Sequence, residues 1–293
     1  MKKLLMLSSE LPKKPKIMYV LSREHEDIQL RSIATTYKHV AIELDSERKS
    51  SVIYIEGRPA DISGVYFRFW SRFPSMSIAL ANLLRSKKIP FVNSDVGISA
   101  SDDKSHDYCK IYNDLPLPKT FLAYPGWLIK NSEILKTKLK YPYILKASGG
   151  KKGRDNFLVR SFDGLVESLK GYPRDELFCV QEFIPNSFDY RIVIIGFEAK
   201  QAYIRTRDPK SKTHVNNASQ GASKTDIAVN SVPELCAMAE KAAKLLNREV
   251  CGVDIVVNSE NGKALVLEVN SSPSLPYEST IKILQTYLKS KVA

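Results

Sequence analysis

The chain has 293 residues, 43% hydrophobic and 26% charged, an ordinary globular composition that is too long for one small core and fits two or three lobes. Its formal net charge is +12, which favours anionic partners. Residues 1–115, 116–190 and 191–293 each carry a net +4, so the charge is spread evenly and excludes a polybasic nucleic-acid arm.

Met1-Lys-Lys-Leu-Leu-Met-Leu begins basic, but its apolar run is too short for a signal-peptide core. Residues 1–15 end in Leu11-Pro-Lys-Lys-Pro15 and read as an N-terminal extension. A buried strand is expected over 16–21 and a helix over 24–38, with Ile28, Ile33, Ala34 and Tyr37 as its apolar positions. Further strands are expected at 39–44, 51–55, 64–69 and 89–92, with a helix opened by Pro74 and running to 85. Strands alternating with helices imply a parallel sheet in an α/β domain over 16–112. No G-x-G-x-x-G follows the first strand, so the dinucleotide fingerprint is absent.

Leu115-Pro-Leu-Pro118 marks a boundary, after which a central subdomain over 113–185 carries strands at 120–124, 143–147, 157–159 and 178–183 and a helix at 162–170. The C-terminal subdomain, 186–293, opens with a hairpin of 191–195 and 199–205, followed by a polar loop to about 230. An amphipathic helix over 232–246 presents Leu235, Met238, Ala239, Ala242 and Leu245 on one face. Two strands joined through the turn Asn261-Gly262 follow, and a helix over 278–289 closes the chain. Cys109, Cys179, Cys236 and Cys251 form no C-x-x-C pair. Together with the lack of any run of about eighteen apolar residues, this leads to the expectation of a reduced, cytoplasmic protein.

The chemistry concentrates in the last two strands. In Leu265-Val-Leu-Glu268-Val-Asn270 the side chains of Glu268 and Asn270 point to one side, since strand side chains alternate. Asp254 sits similarly within Val253-Asp-Ile-Val-Val257. Buried acids need a positive partner, and carboxylate and amide oxygens on rigid strands suit Mg²⁺; a neighbouring Lys or Arg is the alternative partner. Lys146 ends a strand before a loop containing Gly149, Gly150 and Gly153, a pattern able to cradle phosphates although it is not a Walker motif. A plain hairpin explains it equally. Gln181-Glu182-Phe183 offers a strand end that can hold a ribose and an adenine edge, or a solvated terminus. Asp189, Arg191 and Arg205 lie on the paired strands that follow. Two arginines over a metal–phosphate centre stabilise charge on a transferred phosphoryl group; a surface Asp189–Arg191 salt bridge is the bland alternative.

Taken in order, Lys104, Lys146 with its Gly-rich loop, Gln181-Glu182-Phe183, Asp189-Tyr-Arg191, Asn217, Gly252-Val-Asp254 and Glu268-Val-Asn270 form a series that resembles the ATP-grasp enzymes. The closest resemblance is to the RimK-like branch, a relative of the glutathione synthetase-like ligases, which joins amino acids to protein or peptide carboxylates. Asn93-Ser94, Asp103-Lys104 and Leu115-Pro-Leu-Pro118 resemble that branch's approach to the central lobe, and the similarity runs from about residue 60 to 280. It implies an α/β ATP-grasp fold with an N-terminal Rossmann-like pre-ATP-grasp lobe, a central lid lobe and a C-terminal metal-binding lobe.

The resemblance also implies roles. Lys104 and Lys146 would contact the ATP triphosphate, with Gly149, Gly150 and Gly153 closing over it. Gln181, Glu182 and Phe183 would hold the adenosine, and Asp189 would lie near the ribose or the substrate. Asp254, Glu268 and Asn270 would bind magnesium (manganese being an admissible substitute), with Arg191, Arg205 and Asn217 at the reacting phosphate. The implied activity is an ATP- and Mg²⁺-dependent carboxylate–amine ligase working through an acyl phosphate, where the protein positions and neutralises. The expected partners are an amino acid and a peptide or protein carboxylate, without membrane or nucleic acid; a homo-oligomer is left open. An ATP-grasp kinase and a non-catalytic ATP-binding regulatory module are the other readings.

Two departures stand out. The branch's loop of about Arg-Ser-Asn-Leu-His-Arg-Gly-Gly corresponds here to Val215-Asn-Asn217-Ala-Ser-Gln-Gly221-Ala222, which lacks both arginines and the histidine. In the N-terminal lobe, Phe67-Arg68-Phe69-Trp70-Ser71-Arg72 resembles the aromatic–arginine stretch of ATP-grasp ligases that cross-link ribosomal peptides. Arg68 and Arg72 are therefore candidates for a substrate carboxylate or peptide, and a strand core with surface arginines explains the stretch equally.

Overall fold

The apolar run Leu4–Leu7 is not a tail but the middle of a sheet. The structure, a computed structural model, describes residues 2–8, 30–98, 103–149, 155–208, 222–275 and 277–292. Strands β1 (Lys2–Ser8), β2 (Leu30–Thr36), β3 (Val40–Asp45), β4 (Ser50–Ile55), β5 (Arg58–Pro59) and β6 (Gly64–Phe67), helix α1 (Pro74–Ser86) and strand β7 (Phe91–Val92) make the N-terminal part. β1 lies inside a parallel sheet of order β2-β1-β6-β7. This corrects the N-terminal extension expected over 1–15 at residues 2–8; residues 9–15 lie outside the described residues. An inner parallel strand is covered on both faces, so it reads as an unbroken apolar run, which the nearby prolines disguised.

Two more expectations change here. Of the helix expected over 24–38, residues 24–29 lie outside the described residues, and the rest is β2 from Leu30 to Thr36 followed by a short turn at Tyr37–His39. The β-branched Ile33, Thr35 and Thr36 suit a strand better than a helix. β3, β4 and β5 leave the parallel sheet altogether and form a separate antiparallel one. The strand expected over 16–21 lies outside the described residues.

Helix α2 (Lys104–Ile111) leads into the central part, comprising β8 (Thr120–Ala123), α3 (Pro125–Lys130), α4 (Ser132–Leu139), β9 (Tyr143–Ala147), β10 (Asn156–Val159), α5 (Phe162–Leu169) and β11 (Phe178–Glu182). Its antiparallel sheet has the order β10-β9-β11-β8 and its own core, which includes Leu128, Leu135, Leu145, Leu165 and Phe178. The three helices α2, α3 and α4 are short, with too few turns for their periodicity to stand out from sequence.

The C-terminal part holds β12 (Phe188–Ile195), β13 (Glu198–Thr206), β14 (Ser223–Ile227), α6 (Pro233–Leu246), β15 (Val250–Val257), β16 (Ala264–Asn270) and α7 (Glu278–Val292). Its five strands run β14-β13-β12-β15-β16, each pair antiparallel. β14 replaces part of the polar loop expected before residue 230. One face of this sheet, with Ile192, Ile194, Val253 and Ile255, packs on Leu235, Ala239, Ala242 and Leu246 of α6. The other face is divided along its length. Val193, Ile195 and Tyr203 lie in a cluster with Leu284 and Leu288 of α7 and with Leu4, Met6 and Tyr66 of the N-terminal sheet. Beyond that cluster the same face turns polar at Asp189 and Arg191, and there the candidate site begins. Among the described residues no helix is long and apolar enough to cross a membrane.

Candidate active site

Asp254 and Glu268 stand directly opposite one another across β15 and β16, and Asn270 stands opposite Gly252. Arg191 is the partner of Asp254 on the other side, across β12 and β15. The alternation read from sequence thus becomes a single surface, because directly opposed residues share a sheet face. Asp254 is only 4% exposed. Both its oxygens are engaged: Arg191 donates through Nε to Oδ1 and through Nη2 to Oδ2 at 2.7 Å, and Arg205 Nη2 lies 3.0 Å from Oδ2. Burial alone would raise its pKa, but the two guanidiniums outweigh burial and hold the carboxyl below its ordinary value.

Asp189 is the third acid of this cluster. It accepts from Arg205 Nε at 2.6 Å. Burial pushes its pKa up, Arg205 opposes and the Asp254 charge adds to the rise, leaving it at about 6. Two acids are thus interleaved with two arginines, and neutralisation on this scale keeps charges tolerable in a buried setting.

Two lysines approach from the other parts of the chain. Lys104 opens α2, whose N-cap Asp103 accepts from the Ser105 amide at 2.8 Å. Its ammonium lies 3.3 Å from Glu268. Burial lowers the Lys104 pKa, and Glu268 more than reverses this, so the ammonium is held above its ordinary value. Lys146 on β9 donates to Gln181 Oε1 at 2.7 Å, and Gln181 in turn donates to Thr120 at 2.9 Å. Burial, assisted by Lys104, brings the Lys146 pKa below the ordinary lysine value despite Glu268. The Ser148 hydroxyl hydrogen-bonds Asp103, which ties the end of β9, just before Gly149, to the start of α2. Gly150, Gly153 and Asn217 lie outside the described residues.

A cleft separates the central and C-terminal sheets. Ile144, Lys146 and Gln181 to Ile184 line it from the central part, and Asn186, Asp189, Val256 and Leu267 from the C-terminal part. Its apolar walls with a few polar groups suit a planar base with a sugar attached. Glu182 at its rim accepts from the Lys119 amide at 2.7 Å. The structure thus brings together Lys146, Gln181, Glu182, Phe183 and Asp189 around one cleft, with Asp254, Glu268, Asn270, Arg191, Arg205 and Lys104 on the adjoining sheet face.

The model of the RimK-like ATP-grasp domain matches residues 92–290. The chain belongs to the RimK-like ATP-grasp family. A probable alpha-L-glutamate ligase of Marinomonas sp. is 31% identical over 191 residues, 63% of this chain and 60% of that protein. A protein of the same name from Desulfotalea psychrophila is 30% identical over 224 residues, 73% of this chain and 46% of that protein. The matched stretch therefore spans less than two thirds of these relatives' length. Among solved structures, the ATP-grasp ligase PsnB with minimal precursor, Mg and ADP superposes with a TM-score of 0.71 at 16% identity, covering 99% of this chain and 97% of that one. The VanG D-Ala:D-Ser ligase of Enterococcus faecalis gives 0.69 at 14%, covering 100% and 99%. Identities this low speak for the fold alone, and they extend it across the N-terminal lobe that the family model does not reach.

ATP-grasp enzymes use ATP and magnesium, and the residues present fit both groups. Two carboxylates and one amide on adjoining rigid strands are oxygen donors of the kind magnesium takes. Among the described residues no three His, Cys, Asp or Glu side chains converge on a metal position; the donor set expected from the sequence takes the amide of Asn270 as its third member.

The candidate site is also braced by residues that carry no motif. Arg248 is wholly buried. It donates to Asp95 at 2.8 Å, to both oxygens of Asp107 at 2.9 and 3.1 Å, and to the Val269 carbonyl at 2.7 Å. It therefore clamps the helix of Lys104 to the strand of Glu268. Asn247-Arg248-Glu249 sits between a helix and a strand, where no motif marks it. Asn93 joins the same junction, accepting from the Val250 amide at 2.6 Å and donating to the Ser271 carbonyl at 3.2 Å. The expectation that Arg68 reaches toward a substrate is corrected: it is buried and donates to the Pro273 carbonyl at 3.2 Å, while the Phe69 amide donates to Ser272 at 2.7 Å. Arg72 is exposed and, like Arg68, stacks on the Phe69 ring.

Proposed function

We propose that this chain is an ATP- and Mg²⁺-dependent carboxylate–amine ligase that activates its acid as an acyl phosphate. The observation that carries the reading is the opposed pair Asp254 and Glu268, with two arginines and two lysines converging on it from three parts of the chain. ATP supplies the phosphoryl group that activates the carboxylate, and magnesium offsets the negative charge that accumulates on it. Asp254, Glu268 and Asn270 would hold the metal. Lys104 and Lys146 would neutralise the triphosphate, and the cleft of Gln181, Glu182 and Phe183 would seat the adenosine. Arg191 and Arg205 are already fixed on the face where charge would develop, and such preorganised donors lower a barrier without rearranging at the moment of reaction. The pairing of both guanidiniums with Asp254 means that metal and arginines share this carboxylate, so bare magnesium should bind weakly.

The acceptor belongs to the same reading: an amino acid, or the carboxylate of a peptide or protein. The division into lobes near residues 112 and 185 is part of it too, supported by separate cores in the N-terminal and central sheets.

Incubation with ATP, magnesium, hydroxylamine and a panel of carboxylic acids tests the assignment. A ligase releases ADP and traps the activated acid as a hydroxamate. A phosphorylated hydroxyl product formed without any amine would instead make the chain a kinase. Tight nucleotide binding with no turnover across the panel would make it a regulatory module.

A further inference from the structure

Strict alternation along β16 would not build this site. With Glu268 and Asn270 on the site face, period two would turn Leu265 and Leu267 toward α6 and Val266 toward the site. The structure has the reverse. Val266 stands opposite Ile255 and Leu265 opposite Val256, so the pairing slips by one residue between Glu268 and Val266. Val266 packs with Ile255 in the cluster on α6, whereas Leu265 packs with Val256 and Ile184 on the other face. Leu267 is the extra residue of a β-bulge, and it lines the cleft between the central and C-terminal sheets. Consecutive residues thereby serve both ends of one site: Leu267 faces the cleft, and Glu268 stands opposite Asp254. A bulge re-aims side chains in this way while leaving one residue out of the ladder.

β16 is also an edge strand, so its outer backbone groups need partners from elsewhere. The Val266 amide donates to the Pro116 carbonyl at 2.9 Å, and the Val269 carbonyl accepts from Arg248 Nη1 at 2.7 Å. Between them, the carbonyl of the bulged Leu267 accepts from the Tyr108 hydroxyl at 2.6 Å. Tyr108 is 4% exposed and follows Lys104 by one turn of α2, so the two share a helix face. That face meets two consecutive residues of β16: the hydroxyl of Tyr108 holds Leu267, and the ammonium of Lys104 lies 3.3 Å from Glu268. Resting on the ligase reading above, we propose that Tyr108 is a positioning residue that holds the bulge at Leu267 and so fixes the direction of the Glu268 carboxylate. Tyr108 touches neither nucleotide nor metal in this role; it acts through the backbone of Leu267. The tie is firm because a buried hydroxyl or carbonyl left without its partner is costly. Its effect is on how much magnesium tightens the binding of nucleotide.

The test is calorimetric titration of the full chain with a non-hydrolysable ATP analogue, once in excess magnesium and once in EDTA. The ratio of the two affinities isolates the contribution of the metal. Tyr108→Phe keeps the ring in the core and removes only the hydroxyl. Its ratio should fall about tenfold below that of the wild-type protein, the scale of one buried hydrogen bond, with binding in EDTA unchanged. Deletion of Leu267 keeps every ladder pair between β15 and β16, removes the bulge by a second route, and should lower the same ratio. Thermal melting establishes that each variant is folded. An unchanged ratio in either folded variant overturns the proposal, and this includes equal weakening with and without magnesium, the mark of a purely structural tie. A wild-type affinity indifferent to magnesium overturns it as well. Failure of both variants to fold would make the tie a folding requirement and do the same. Hydroxamate formation by the wild-type protein is scored separately. A lowered ratio without hydroxamate from any acid sinks the ligase reading and keeps the role of Tyr108; hydroxamate with an unchanged ratio does the reverse.

Discussion

Arg191 passes so close to Gly252 that a Cβ added there would lie 2.8 Å from its Nη1 and 3.0 Å from its Cδ. The absence of a side chain at Gly252 is therefore what lets Arg191 lie flat on the sheet and reach both oxygens of Asp254. Gly252→Ala should displace the guanidinium while leaving the surrounding strands paired. Turnover should fall about a hundredfold, comparable to losing one preorganised charge-stabilising donor, with a much smaller change in melting temperature. Kinetics and thermal melting on the same preparation check this; unchanged turnover would remove Arg191 from the reaction.

Glu268 is the more accessible acid of the opposed pair and has Lys104 as its partner. Glu268→Gln keeps the shape and removes the charge. Metal-dependent turnover should be abolished and the fold retained, as read by activity across a magnesium titration together with circular dichroism. Normal turnover in this variant would falsify the metal assignment.

Arg248 is a structural tie rather than a participant in chemistry. Arg248→Leu removes the cation shared by buried Asp95 and Asp107, leaving two acids without their guanidinium. Breaking a buried pair in this way typically costs about 3–5 kcal/mol. The expected outcome is a large drop in denaturation midpoint, measured by urea unfolding. A loss of activity with no loss of stability would show that the clamp is not needed for folding.

The pH dependence of stability follows from Asp189. Its pKa is raised from an ordinary 3.8 to about 6 in the folded protein. Between those values the folded chain binds the proton and the unfolded chain does not, so stability declines as pH rises through about 6 and increases as pH falls toward 4. Asp254, with its pKa depressed, contributes in the opposite sense and below its ordinary value. Asp189→Asn should flatten the profile between pH 4 and 6, as measured by urea unfolding at several pH values. A wild-type profile without this slope would mean that Asp189 titrates normally.

Much of the candidate site was legible because strand alternation is local. Glu268 and Asn270 are two residues apart, and Asp254 lies in a β-branched run, so their common face follows from period two alone. The hairpin turn at Asn261-Gly262 also stands where it was expected, with Gly262 at φ +70°. β14 escaped because Ser223-Lys-Thr-Asp-Ile227 has almost no apolar face, and an edge strand is recognised only by what it pairs with. β1 escaped for the opposite reason: its apolar run was visible, but its neighbours β2 and β6 are distant in sequence, and pairing with them is what makes it an inner strand.

The sequence by itself determined the candidate groups: three oxygen donors on two strands, two lysines and two arginines, in the order of the ATP-grasp family. Only the tertiary structure decided which charge answers which. Asp254 is neutralised by Arg191 and Arg205, and Glu268 by Lys104. Arg248, 141 residues from Asp107 and 153 from Asp95, joins the helix of Lys104 to the strand of Glu268. The physical reason is that side-chain alternation acts between neighbours in the chain, whereas Coulomb energy depends on separation in space and on burial, and both are properties of the folded molecule.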